Sequence, residues 1–147
     1  MDIALAGTGY SIYSAAMLLC RFGGDAAVRR LGRKAVALGG MIISCLGFLL
    51  LIFSPWEIGT FASFFIMGIG LANVVPVVFS IMGKQKDMPS AQAIAAVSTV
   101  GYIGVLGGPA AIGFISNATS LNIAFGMIAI LIVIQTLITK YVFQKMN

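Results

Sequence analysis

The stretch Gly23–Lys34, GGDAAVRRLGRK, holds five of the chain's thirteen charged side chains, Asp25, Arg29, Arg30, Arg33 and Lys34, between two long apolar runs. In a chain that is 60% hydrophobic and 9% charged, such a cluster needs water, phosphate headgroups or paired charges around it. It marks a membrane surface, and the runs on either side of it read as membrane crossings.

Outward from that segment, a mean hydropathy of +1.06 excludes a soluble globular domain, whose apolar content is roughly half. A helix needs about 20 apolar residues to cross the hydrocarbon layer. The uncharged runs then give five spans in a single membrane domain, at about 3–22, 35–54, 58–82, 91–115 and 121–143. The last two come from the charge-free stretch Met88–Thr139, divided by the polar cluster Ser116, Asn117, Thr119 and Ser120. The fold class is all-α integral membrane. Arg21, the basic residues of the first loop, Lys84, Lys86, Lys140 and Lys145 all fall on one side, and Asp2, Glu57 and the SNATS turn on the other. The positive-inside rule places the N-terminus outside and the C-terminus in the cytoplasm. The net charge of +5 therefore reports topology and not nucleic-acid binding.

Several functions are excluded or disfavoured. Asp2 stands where a signal peptide would be basic, so the first span is expected to stay in the membrane. Cys20 and Cys45 fall in separate spans without metal-ligand spacing and read as inert buried thiols. No histidine is present, which removes His-based acid–base catalysis and leaves no reason to expect an enzyme. Neither a cofactor nor a metal is expected. Asn117, Ala118 and Thr119 form an N-x-T sequon that reads as a turn.

Polar and special residues inside the spans point to packing or to a cavity. Gly7, Tyr10, Ser11 and Ser14 share one face of the first span, which expects a partner helix or a cavity. Pro76 cannot donate to the Ala72 carbonyl and should bend or open the third span, and Asn73 one turn earlier either binds solute or joins helices. In the fourth span Val97, Gly101, Gly104 and Gly108 form a small-residue face, and Pro109 adds a bend. Tyr102 and Gln135 join Tyr10 and Asn73 as residues expected to line a cavity.

The basic segment after a membrane helix, with the glycine-rich span beyond it, resembles the C-terminal half of a major facilitator superfamily transporter. Asp25, Arg29, Arg30, Gly32, Arg33 and Lys34 fit the family's cytoplasmic signature, and Arg21 and Phe22 fit the positions ahead of it. Cys20 stands where the signature usually begins with glycine. The stretches ANVVPVVFS (72–80) and GYIGVLGGPAAIG (101–113) look most like the fucose-permease-like branch and its uncharacterised bacterial inner-membrane members. Because the signature follows the second helix of a half, the resemblance implies helices eight to twelve of a twelve-helix protein. The chain is then a partial bundle, and Met1 a true start, an internal methionine or the edge of a broken gene.

The resemblance also implies a mechanism. The segment would be a cytoplasmic latch, with Asp25 near the start of the next helix and paired to Arg21 or Arg29, while Arg30, Arg33 and Lys34 anchor to headgroups. Gly32 belongs to the same latch. Expected partners are membrane lipid, a small-molecule substrate, and the missing transporter half or another membrane protein. Two other readings are a non-transporting membrane subunit and a small multidrug carrier, though the latter's embedded glutamate has no counterpart because Glu57 lies in a loop.

Overall fold

Ile3–Phe53 forms one helix, α1, that continues through the expected loop and departs from helical geometry only at Gly32. The computed structural model describes residues 3–84, 86 and 88–145. Gly32 has φ 83° and ψ 156°, a region essentially restricted to glycine because a Cβ would collide with the neighbouring peptide. Straight, the 51 residues of α1 would reach about 76 Å at 1.5 Å per residue. That is more than twice the hydrocarbon thickness, so the break has to turn the chain back.

Its two limbs, 3–31 and 33–53, do pack side by side on the third span. That span is two helices, α2 (Glu57–Leu71) and α3 (Val74–Met82). Along the first limb the neighbours rise in step, Gly9 with Phe64, Ala16 with Gly68 and Cys20 with Asn73. Along the second they run in reverse, Gly47 with Ser63 and Met67, Gly40 with Gly70 and Val74. One limb is parallel to α2 and the other antiparallel, which makes α1 a helical hairpin with its tip at Gly32. The expected first two spans are therefore present, but the irregular loop between them is not. Helix replaces it on both sides of a single glycine.

The interruption of the third span falls at Ala72 and Asn73, one turn before Pro76. Proline removes an N–H and crowds the carbonyl four residues back, so the helix opens where the sequence predicts. Pro109 behaves differently, since α4 (Ser90–Ala118) runs unbroken through it. After Thr119 the Ser120 hydroxyl accepts the Ile123 N–H at 3.3 Å, starting α5 (Leu121–Lys145) in the manner of an N-cap.

The core lies between α2 and the α1 hairpin. Ala16, Ala37, Met41, Ser44, Ser63, Met67 and Ala72 are buried there. The backbones of Gly40 and Gly70 meet directly, and a Cβ on Gly70 would lie 2.6 Å from the Ser44 nitrogen. Both buried hydroxyls are satisfied within their own helices, Ser44 donating to the Met41 carbonyl at 2.9 Å and Ser63 to Gly59 at 2.7 Å. By contrast α4 is peripheral, with Ala93 as its buried residue. Helix α5 leans on the second limb, where Phe48 and Phe125 rings are 6.3 Å apart.

Since Phe125 sits near the start of α5 and Phe48 near the end of α1, α5 runs back toward the Gly32 end. Lys84 and Lys86 follow α3 at that same end, and Lys140 arrives there with α5. Four helices are long and apolar enough to cross a membrane. With α1 doubled back on itself, they form a multi-pass membrane bundle without strands among the described residues.

Candidate functional site

A groove of about 540 Å³ opens between α3, α4 and α5. Valines dominate it because α3 offers Val74, Val75, Val78 and Phe79, while α4 offers Val97, Val100 and Val105 at helical spacing. Three polar side chains interrupt this wall: Ser98 and Tyr102 of α4 and Gln135 of α5. Among the described residues none of the three finds a hydrogen-bond partner. Gln135 lies near the middle of α5, at a depth where an unpaired amide costs a few kcal/mol. Volume, apolar walls and a few convergent polar groups are the ordinary attributes of a small-molecule pocket. Gly101 widens the groove, and Pro109 leaves the carbonyl of Val105 without its helical donor.

Two of the four residues expected to line a cavity, Tyr102 and Gln135, thus meet in one place. The other two do not. Tyr10 lies on the first limb of α1, away from the groove, with its ring 6.2 Å from that of Tyr13. The face of the first limb that packs is Gly9, Tyr13, Ala16 and Cys20, not the face of Gly7, Tyr10 and Ser11. Ser11 instead donates to its own helix at the Gly7 carbonyl, 2.9 Å away. Asn73 joins helices, its Nδ2 donating to the Cys20 carbonyl at 3.2 Å. Ser98 escaped the sequence reading although its signal was present, since positions 98, 102 and 105 share a helix face with Gly101 beside them.

The basic segment is arranged differently from the expected latch. Asp25 is exposed on the first limb, about two turns before Gly32 and not at the start of a helix. The limb's negative dipole end lies beyond it, in the last turn, where it suits Arg29 and Arg30. Asp25 and Arg29 share a face at i, i+4 spacing, but no ion pair joins Asp25 to Arg21 or Arg29 among the described residues. The Nε of Arg21 donates instead to the Ala72 carbonyl, at 3.3 Å. Arg30, Arg33 and Lys34 are placed around the hairpin tip.

On α4 Val97 and Gly101 of the small-residue face border the groove, but no described helix packs closely on its glycines. A Cβ on Gly101, Gly104 or Gly108 would meet nothing within 4 Å, so the expected close crossing is not made by any described helix. The thiols of Cys20 and Cys45 are free and half-buried rather than fully enclosed.

Comparison with known proteins supplies a family. A family model described as the Major Facilitator Superfamily matches residues 1–145. An uncharacterized MFS-type transporter of Yersinia pestis is 42% identical over 132 residues, 90% of this chain and 34% of its own length. An uncharacterized transporter of Sinorhizobium fredii is 32% identical over 138 residues, covering 92% of this chain and 37% of that protein. The membrane protein MosC of Rhizobium meliloti is 33% identical over 115 residues, 78% of this chain and 28% of its own. The chain thus spans about a third of the length of these relatives. No solved structure matches it.

Proposed function

We propose, for a chain that belongs to the major facilitator superfamily, that it forms part of a secondary transporter moving a small solute across the membrane by alternating access. The observation that carries this reading is the groove. Three unpartnered polar side chains face one apolar cleft at membrane depth, where lipid cannot satisfy them and a solute or water can. In the same reading the five traverses correspond to helices eight to twelve, in the C-terminal half of a fucose-permease-like protein. The Gly32 end faces the cytoplasm of a bacterial inner membrane, in keeping with its basic residues. Asp25, exposed on that face, is left to pair with a segment of the other half, and Arg29, Arg30, Arg33 and Lys34 bind headgroups. No chemical step is assigned to the chain.

Single cysteines at Val78, Ser98 and Tyr102, introduced with Cys20 and Cys45 replaced by serine, test the groove in native membranes. A water-soluble maleimide should label all three faster than a cysteine at Leu137, a residue exposed on the bundle surface. Labelling as slow as at Leu137 would remove the groove as a solute path.

One observation favours a second reading, a non-transporting membrane subunit. The open face of Gly101, Gly104 and Gly108 is shaped for close approach of another helix. Uptake that persists when Gly104→Val and Gly108→Val abolish partner association would favour the transporter, and loss of partner association with no uptake ever detected would favour the subunit.

A further inference from the structure

The break in the third span contains a carbonyl that needs a donor. Pro76 has no N–H, so Ala72, its i−4 partner, loses the helical bond. Ala72 is 0% exposed, and a buried carbonyl away from water requires a replacement. The replacement comes from another helix, because Arg21 Nε lies 3.3 Å from that oxygen. The adjacent residues make the opposite exchange, with Asn73 Nδ2 donating to the Cys20 carbonyl at 3.2 Å. One turn further along α1, Gly24 is the cradle for the Asn73 amide. A Cβ at Gly24 would overlap the Asn73 Oδ1.

We propose that Arg21 is a positioning residue that replaces the hydrogen bond deleted by Pro76, and that with Asn73 it clasps the α2–α3 break to the first limb of α1. Two neighbouring residues on each side exchange one bond in each direction, so the hinge is held against both sliding and rotation. Helix α3 begins immediately after the clasp and supplies Val74, Val75, Val78 and Phe79 to the groove wall. The clasp therefore sets the angle at which that wall stands. Arginine suits the role because Nε reaches the oxygen in a fixed direction, while the terminal nitrogens remain free to reach headgroups. Arg21 is in this way separated from the other basic residues of the segment, which gather at the tip. The clasp does not depend on what the groove carries.

Restoring the deleted donor should make Arg21 dispensable. Amide hydrogen exchange of residues 74–82 in the purified full chain is the readout. Arg21→Gln should accelerate exchange there by about tenfold, the range spanned by local opening when one stabilising bond is lost. In a Pro76→Ala background, where the new N–H can serve the Ala72 carbonyl, the same substitution should change exchange by less than about twofold. Exchange unaltered by Arg21→Gln would overturn the clasp, as would an equal acceleration in both backgrounds. If Arg21→Gln alone does not yield folded protein, recovery of the fold in the double variant supports the clasp, and its failure to recover counts against it.

Discussion

Gly23, Gly24 and Gly32 lie within ten positions of one another, yet the physical demand at each is different. A methyl on Gly24 would strike the Asn73 amide, so Gly24→Ala should cost about 1–3 kcal/mol, the usual penalty for overfilling a packed contact. At Gly32 the space around a Cβ is open, but φ 83° with ψ 156° is not available to alanine. Gly32→Ala should cost about 1–3 kcal/mol through the backbone, loosening the hairpin and leaving the Asn73 contact intact. Gly23 has neither constraint, with nothing within 4 Å, and Gly23→Ala should gain about 0.5–1 kcal/mol as a helix-interior replacement. Thermal unfolding of the three variants in detergent orders them. A sequence marks all three as breakers, and only the position of neighbouring atoms and the backbone angle distinguishes them.

Helices α2 and α4 pose the same contrast at larger scale. Both carry glycines, but the sequence reads a close helix crossing only in α4. In α2, Gly68 and Gly70 touch the backbones of the two α1 limbs. In α4 the expected crossing is not made by any described helix. Gly70→Val should therefore destabilise the chain by about 3 kcal/mol, because the opposing atoms are backbone and cannot turn aside. Gly104→Val should stay within about 0.5 kcal/mol in the same measurement. A large loss on Gly104→Val would mean that α4 packs more tightly than its open face indicates. The two prolines divide similarly: Pro76 opens the third span and Pro109 leaves α4 continuous. Pro76 differs in having a partner helix that catches the freed carbonyl, with Arg21 Nε within reach.

Across the whole molecule the ordering of contacts along α2 makes a topological prediction. Cysteines at Lys84, Lys86 and Lys140 should be labelled from the side that holds the Gly32 tip, and cysteines at Glu57 and Asn117 from the other. Labelling of Lys84 and Glu57 from one side would mean that α2 and α3 do not carry the chain across the membrane. The all-helical class, the membrane-spanning character and the one-sided placement of basic residues were legible in the residues themselves. Each follows from the cost of leaving charge or unpaired backbone in hydrocarbon, which acts on the chain locally. The opening of the third span was legible too, since proline deletes a bond at a stated distance. Which polar residues meet was not. Tyr102 and Gln135 share a groove, Asn73 is spent on joining helices, and Arg21 turns from Asp25 to the Ala72 carbonyl. Helical spacing determines which residues of one helix share a face. The rotation and depth of one helix against the next are decided by packing, and only the folded bundle contains them.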